Sequence, residues 1–418
     1  MLVFKFGGAS VKDAEGIVNL ASVVKKFEGN QLLIVVSAMG KTTNALEKLT
    51  KAYVDADDDL HSIFEEIKNY HYAIIEKLFE PSHPVFDEVA NTFVEIDWII
   101  EDEPHDDYDF TYDQIVSIGE LVSTRIVNAY LNKAGLKSAW VDVRGYVHTD
   151  NTYREGVVQW DKTRAAINRD IPGLLQKGIV VTQGFLGGTS ENFTTTLGRE
   201  GSDYTASIFA ACLGAESVTT WKDVPGILNA DPKFFEDTIK FEELSYTEAI
   251  EMTYYGASVI HPKTIKPLQN AKIPLLVKSF TNPDAPGTVI RENVVNQFIK
   301  PVIILKQDQV LLSISPKDYS FVSENQLSVI FGLFAQNQVK VNVMQTSALS
   351  FTVCFDLYPE RFKKLLQSLS VDFKVKYNDN LTLITLRHYS HAALSELTID
   401  KTVLLEQLSR NTVQIVVR

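Results

Sequence analysis

Leu32-Leu-Ile-Val-Val-Ser-Ala-Met-Gly-Lys-Thr-Thr-Asn44 is the stretch that decides the fold. Its first five residues form a continuous apolar run of strand length, the pattern of a central strand covered on both faces. The rest turns at once to hydroxyls, a glycine and a lysine, where open α/β sheets bind ligands. The same grammar recurs on both sides. Upstream, Val3-Phe-Lys-Phe6 is stopped by Gly7-Gly8, and a helical pattern runs from Ile17 to Phe27. Downstream, residues 44–79 read as helix, with Tyr70, Tyr72, Ala73, Ile74, Leu78 and Phe79 at helical spacing. The acidic stretch Glu101 to Asp107 reads as a solvated linker.

Helix Ile115–Leu131 leads to strand Ser138–Val143, and a helix over 161–176 leads to strand Ile179–Thr182. Helix Tyr204–Leu213 precedes strand Ser217–Trp221, and helix Tyr246–Tyr255 precedes strand Ile273–Val277. Strands separated by helices predict a three-layer α/β domain with a mostly parallel central sheet over residues 1–292. The turn-rich tract Asn282-Pro-Asp-Ala-Pro-Gly287 begins the exit from it.

From residue 300 the pattern changes. Strands Val310–Ser315, Lys340–Thr346 and Phe351–Phe355 flank one helix, Gln326–Asn337. A weaker echo follows: helix 360–369, strands 373–377 and 381–387, a helical stretch 400–408 and a last strand Thr412–Val417. This predicts two small α+β units on antiparallel sheet, in tandem at 300–372 and 373–418 and able to interleave.

The chain has 418 residues, 40 Lys plus Arg, 53 Asp plus Glu and a formal charge of −13. That balance argues against nucleic-acid or anionic-membrane partners, so a polyanionic ligand must meet a local basic site. Its two cysteines, Cys212 and Cys354, lie in apolar runs, which suits a reducing compartment and excludes a disulfide framework. The N-terminus lacks the features of a signal peptide, and no run reaches the roughly 18 apolar residues of a membrane helix. The expected location is cytoplasmic.

The candidate chemistry sits at strand ends. In Lys5-Phe-Gly-Gly-Ala-Ser10 the paired glycines let backbone N–H groups approach a ligand, and the helix that follows adds partial positive charge: a phosphate cradle, or simply a turn with a surface lysine. No Gly-x-x-x-x-Gly-Lys-Ser/Thr occurs, which disfavours a P-loop enzyme. Ser37 to Asn44 is the second candidate. The third is Thr194-Thr-Thr-Leu-Gly-Arg-Glu-Gly-Ser-Asp203, preceded by Gln183-Gly-Phe-Leu-Gly-Gly188. There Ser202 or Asp203 can cap the next helix, while Arg199 is free to hold a carboxylate in a bidentate fork. Trp221-Lys-Asp-Val-Pro-Gly-Ile-Leu-Asn-Ala-Asp-Pro-Lys233 is the fourth. His261, before Pro262, reads as an imidazole at a helix C-terminus. No His/Cys/carboxylate cluster has metal-ligand spacing, so no resident metal is expected. No Gly-x-Ser-x-Gly elbow is present.

Together these stretches resemble the aspartokinases, enzymes of the amino-acid kinase (carbamate-kinase-like) fold with C-terminal ferredoxin-like ACT units. The matching segments are Lys5 to Val11, Val36 to Asn44, Ser117-Ile-Gly-Glu-Leu-Val-Ser-Thr124, Phe185 with Thr194 to Thr205, Trp221 to Lys233, and Tyr255-Gly-Ala-Ser-Val-Ile-His-Pro262. The resemblance spans essentially the whole chain. It implies transfer of the γ-phosphoryl group of ATP to the β-carboxylate of L-aspartate, as a first step toward lysine, threonine and methionine. It further implies magnesium carried by ATP, a homodimer paired through ACT sheets, and a feedback amino acid.

By the same resemblance, Lys5 and Asp203 are catalytic: Lys5 on the transferring phosphate, Asp203 organising that lysine and the metal. Ser37, Thr43, Glu120, Thr196, Arg199, Gly201 and Ser202 would hold aspartate, with Glu120 on its α-ammonium. Gly7, Gly8, Ser10, Lys222, Asp223, Leu228, Lys233, Ser258 and Val259 would meet the nucleotide. Many aspartokinases have lysine at Ser258, tyrosine at Leu228 and arginine at Lys233; Lys222, Lys233 or Lys263 could replace the missing charge. Lysine-sensitive relatives hold the effector amine with acidic residues near 342 and 348, where this chain has Asn342 and Ala348. Lysine inhibition is therefore expected to be weak, replaced by that of another amino acid such as threonine, or absent. The alternatives are a related kinase for another carboxylate, such as glutamate, or a non-catalytic amino-acid sensor. With no Gly-x-Gly-x-x-Gly after the small units, fusion to homoserine dehydrogenase is not expected.

Overall fold

The computed structural model describes residues 1–257, 260–294, 300–318 and 320–418. The chain forms two compact units: 1–227, 240–250 and 258–296 in one, and 228–239, 251–257 and 297–418 in the other. The sequence placed 228–239 and 251–257 with the α/β domain; they pack instead with the C-terminal unit.

The first unit runs β1 (Leu2–Phe6), α1 (Ala14–Lys25), β2 (Leu32–Val36), α2 (Thr42–Val54), α3 (Leu60–Leu78), α4 (Val85–Glu101), α5 (Tyr108–Val116) and α6 (Ile118–Lys133). It continues with β3 (Ser138–Val141), α7 (Trp160–Leu175), β4 (Ile179–Gln183), the hairpin β5 (Leu186–Gly188) and β6 (Thr194–Thr196), α8 (Gly201–Leu213) and β7 (Ser217–Lys222). Then follow β8 (Glu243–Ser245), α9 (Tyr246–Tyr254), whose residues from 251 on group with the other unit, α10 (Pro262–Ala271), β9 (Leu275–Ser279) and β10 (Thr288–Arg291). Its eight-stranded sheet has the order β3-β4-β2-β1-β7-β9-β10-β8. The β9–β10 pair is antiparallel and every other neighbouring pair is parallel. All five residues of β2 are buried, as a strand with helices on both faces requires.

Three sequence readings need correction. The run 44–79 is two helices, because Asp55 to Asp59 is too polar and too poor in helix formers to bridge them. The helix read as 115–131 is also two, α5 and α6, meeting at Ser117. His261 caps the N-terminus of α10, its Nδ1 accepting from Lys263 N at 3.2 Å. Pro262 explains the reversal: it suits the first helical position and begins a new helix.

The second unit is one six-stranded antiparallel sheet, β12-β13-β11-β14-β16-β15. Its elements are β11 (Val302–Pro316), α11 (Glu324–Gln336), β12 (Val341–Thr346), β13 (Phe351–Asp356), α12 (Pro359–Asp372), β14 (Phe373–Arg387), α13 (His391–Thr398), β15 (Val403–Leu408) and β16 (Thr412–Val417). The long strands β11 and β14 run antiparallel through both ACT-like halves. Val302–Lys306 pairs with Leu383–Arg387, so the first strand of one half crosses into the other and the two interleave. Ile330, Phe334, Leu365 and Leu369 of α11 and α12 cover one part of the sheet. The stretch read as helical at 400–408 is the edge strand β15, with the helix lying earlier, at His391–Thr398. Only Leu405 of that strand is buried, so no clean alternation marked it. No helix among the described residues is long and apolar enough to cross a membrane.

Candidate active site

The site is built around β1. Side chains alternate along a strand, so Phe4 and Phe6 point to one face and Lys5 to the other. Phe4 and Phe6 join Trp221, Phe27 and Phe280, with Phe6 stacked on Trp221 at 6.1 Å between ring centres. Lys5 faces α8, which packs on β1, β2 and β7. In the register of the sheet Lys5 stands beside Thr220 of β7. Asp203, on the first turn of α8, joins them: Oδ2 accepts from Lys5 Nζ at 3.2 Å and Oδ1 from Thr220 Oγ1 at 3.2 Å.

Lys5 is 7% exposed and Asp203 3%, so a residue that the sequence left open as a surface lysine is a buried cation. Burial alone would raise the Asp203 carboxyl, but the Lys5 and Lys222 ammoniums outweigh it and hold the carboxyl below its ordinary value. With a folded value below the unfolded one, this group's stabilisation is fully present above the unfolded carboxylate range near about 3.9. It is lost as pH falls through the folded value. Acid unfolding followed by circular dichroism should therefore begin earlier in Thr220→Val, which removes one donor to this carboxylate.

Next to Lys5 the backbone makes close turns. Ser10 N donates to Gly7 O at 2.9 Å and Gly40 N to Gly8 O at 3.0 Å. A Cβ on Gly8 would come within 2.7 Å of Ala38 O and 2.9 Å of Gly40 O. Only glycine lets the 7–10 and 38–40 turns approach this closely. A Cβ on Gly7 would stand 3.5 Å from Lys5 Nζ. The cradle and the second motif are thus one surface, with the Lys5 ammonium beside it and no side chain in the way. That arrangement fits the phosphates of a nucleotide.

The second motif is fixed from behind by α6. Ser123 Oγ donates to Ser37 O at 2.7 Å, and Ala38 N donates to Glu120 Oε1 at 3.2 Å. Glu120 is 3% exposed, and its other oxygen, Oε2, has no hydrogen-bond partner among the described residues. Burial pushes this carboxyl up to about 8, only partly countered by the Ala38 N–H. A buried acceptor left open is costly unless something fills it. Ser37 and Thr43, half-buried, share this corner.

The third motif forms the hairpin β5–β6 and the turn into α8. A Cβ on Gly184 would meet Ser202 Cβ at 2.4 Å, so the end of β4 presses directly on Ser202. Gly201 N donates to Gly198 O at 3.0 Å, and Glu200 takes a left-handed conformation at φ 54°. Arg199 at the tip is exposed, with no ion-pair partner among the described residues. Thr196 lies in the same hairpin. It is 1% exposed, and its Oγ1 donates to Asp113 Oδ1 at 2.8 Å, so its hydroxyl anchors the turn.

Asp113 of α5 was missed by the sequence reading. It is fully buried, and its Oδ2 also accepts from the N–H groups of Thr196 and Arg154, each at 2.8 Å. Burial raises its carboxyl to about 6 despite those donors. Asp113→Asn turns an amide N–H₂ toward donors that need an acceptor, and should lower stability by about 1–3 kcal/mol. Urea denaturation reads this directly. An unchanged midpoint and slope would show that the hairpin does not depend on Asp113.

Lys222 ends β7 half-buried, and Asp223 follows it, exposed. Leu228 and Lys233 belong to the second unit, where Lys233 N donates to Asp231 Oδ1 at 2.9 Å. Ser258 and Val259 lie outside the described residues. Among the described residues no group of three or more His, Cys, Asp or Glu side chains could hold a metal ion.

The family profile described as "Amino acid kinase family" matches residues 1–279. Lysine-sensitive aspartokinase 3 of Escherichia coli (strain K12) is 30% identical over 393 residues, covering 92% of this chain and 86% of that protein. Chloroplastic aspartokinase 2 of Arabidopsis thaliana is 33% identical over 377 residues, covering 85% of this chain and 66% of that protein. The crystal structure of E. coli aspartokinase III in complex with lysine and aspartate (T-state) superposes with a TM-score of 0.84 at 27% identity, covering 100% of this chain and 95% of that one. Its complex with aspartate and ADP (R-state) gives 0.83 at 27% identity. The chain belongs to the amino acid kinase family, and within that family to the aspartokinases.

Proposed function

We propose that the corner formed by the ends of β1 and β2 and the first turn of α8 brings ATP and L-aspartate together and carries the phosphoryl transfer. The reaction is that of an ATP-dependent aspartate kinase: a β-carboxylate oxygen attacks the γ-phosphorus, the bond to the β–γ bridging oxygen breaks, and 4-phospho-L-aspartate and ADP leave. The observation that supports the assignment of roles is the pair of buried ionisable side chains, Lys5 and Glu120, beside one backbone corner. The Lys5 ammonium lies beside Gly7, and the open oxygen of Glu120 lies behind Ala38.

Attack of one anion on another is opposed by repulsion, so positioned cations and N–H donors supply most of the catalysis. Lys5 meets the transferring phosphoryl group, held in place by Asp203. Gly7, Gly8 and Ser10 form the cradle for the neighbouring phosphates. Glu120 accepts from the α-ammonium of aspartate, with Ser37 and Thr43 beside it. Arg199 folds onto a substrate carboxylate next to Ser202 and the Gly201 N–H. Lys222 and Asp223 serve the nucleotide; Leu228, Lys233, Ser258 and Val259 rest on the resemblance alone. Magnesium enters with ATP, where it neutralises phosphate charge. A hydroxamate-trapping assay with aspartate, glutamate and no acceptor tests the reaction. Aspartate alone should give product, and equal or faster turnover of glutamate would overturn the acceptor assignment.

Regulation follows from the second unit. Asn342 Oδ1 accepts from Lys306 Nζ at 2.9 Å, and Asn342 Nδ2 donates to Gln309 Oε1 at 2.8 Å. The amide is thus already engaged, partly by an ammonium of the chain itself, and brings no charge to an incoming one. Millimolar lysine should inhibit weakly or not at all in a steady-state assay, and strong inhibition would contradict this. A homodimer through this unit is supported by exposed Phe321, Phe331, Met344 and Leu349, apolar positions of the kind that oligomer interfaces cover. Light scattering on the full chain distinguishes dimer from monomer.

A further inference from the structure

A second basic site lies in the first unit, on the outer surface of the helices that flank α8. A cavity of about 780 Å³ opens between α7 and α10 with α8 beneath it. That volume falls within the range of small-molecule sites. Trp160 and Arg164 stand one turn apart on α7, and Lys263 and Lys266 one turn apart on α10. Tyr204 rises from α8 between them. Three cations therefore meet a single lining carboxylate, Glu155, on a chain whose net charge is −13.

Lys263 and Lys266 are exposed and have no ion-pair partner among the described residues. The body of the cavity is of another character. Trp160, Tyr204, Val158 and Val157 line it, Val157 being 59% exposed. A simple surface ion site would not hold an indole, a phenol and a valine left open to water.

This is not the phosphate cradle. Lys5 and Asp203 meet between the sheet and α8, whereas Tyr204, the next residue, lines this outer groove. Successive residues of a helix point about 100° apart, which separates the two sites on one helix.

We propose that this groove binds a small phosphate-bearing ring compound, its ring against Trp160 and Tyr204 and its phosphate between Arg164, Lys263 and Lys266. Aromatic and aliphatic side chains suit a flat ring, and a guanidinium with two ammoniums suits a dianionic phosphate. The α8 helix then serves both sites, carrying Ser202 and Asp203 on its inner side and the floor of the groove on its outer side.

Pyridoxal 5′-phosphate is a direct probe, being a phosphorylated ring with an aldehyde. A lysine amine adds to the aldehyde with loss of water, and borohydride reduces the imine to a stable secondary amine. The full-length protein is labelled with ADP, magnesium and aspartate at saturation, so that the catalytic site is occupied, and labelled peptides are mapped by mass spectrometry. Label should concentrate on Lys263 or Lys266. Arg164→Gln, an exposed change outside the catalytic machinery, should reduce that label about tenfold while leaving kinase turnover unchanged. Label spread over surface lysines in general, or equal labelling of the Arg164→Gln protein, would overturn the proposal. So would loss of the label when ADP and aspartate are added, since the groove would then be part of the catalytic site.

Discussion

Lys5→Ala should lower kcat by roughly 10²- to 10³-fold, the range for removing a single preorganised donor from a charge-stabilising site. The substitution removes the buried cation beside the phosphate cradle and leaves Asp203 with Thr220 Oγ1 and the more distant Lys222. Because the pair is buried, this is not a silent change for the fold. An uncompensated carboxylate in the interior destabilises, and the melting temperature should fall by several degrees. Two measurements separate these effects. Turnover is read at a temperature where circular dichroism shows the variant fully folded, and Lys5→Arg is compared as the variant that keeps the charge. Arginine should restore the melting temperature more completely than the rate, since its planar fork cannot reproduce the point charge of an ammonium. A folded Lys5→Ala protein with turnover within a few-fold of the original would remove Lys5 from the mechanism.

Glu120→Gln should raise the KM for aspartate by roughly 10²- to 10³-fold, as expected when one partner of a buried charged hydrogen bond is lost, with a smaller change in kcat. The free protein also carries a titration signature. With its carboxyl raised to about 8, Glu120 is mostly protonated at pH 7 in the absence of substrate. In linkage terms the folded state then holds more protons than the unfolded one between the two values, so this group's contribution to stability falls as pH rises from the unfolded carboxylate range through about 8. Arrival of an ammonium favours the ionised form. Aspartate binding near pH 7 should therefore release close to one proton, seen as a calorimetric heat that depends on the ionisation enthalpy of the buffer. Above about pH 9 the release should vanish, and Glu120→Gln should show none at any pH. Buffer-independent heats at pH 7 would mean that Glu120 is already ionised or does not meet the substrate.

Much of this corner was legible before the structure, for a physical reason. A parallel sheet covered on both faces needs unbroken apolar strands, and those strands can change character only where they end. Lys5, Gly8, Ser37 and Ser202 announce themselves by contrast with the runs beside them. Glu120 came from the family resemblance, and in the structure its Oε2 is buried with no hydrogen-bond partner among the described residues. Asp113 had no such contrast. It sits in the middle of a short helix, and its partners Arg154 and Thr196 are 41 and 83 residues away in sequence. Only the fold brings them together. The motif likewise shows the hydroxyl of Thr196 and not that it holds Asp113. The edge strand β15 and the break between α2 and α3 were missed because both lie at the surface, where packing imposes little periodicity. The groove over α8 was invisible in sequence because Arg164 and Lys266 are separated by about a hundred residues and by α8 itself.

The most direct test of the account is a crystal structure of the full chain with L-aspartate and a non-hydrolysable ATP analogue. The account predicts the α-ammonium within hydrogen-bond distance of Glu120 Oε2, about 3 Å, and the γ-phosphate within the same reach of Lys5 Nζ. An aspartate whose amino group lies away from Glu120, with the triphosphate on a different surface from Lys5, would contradict it.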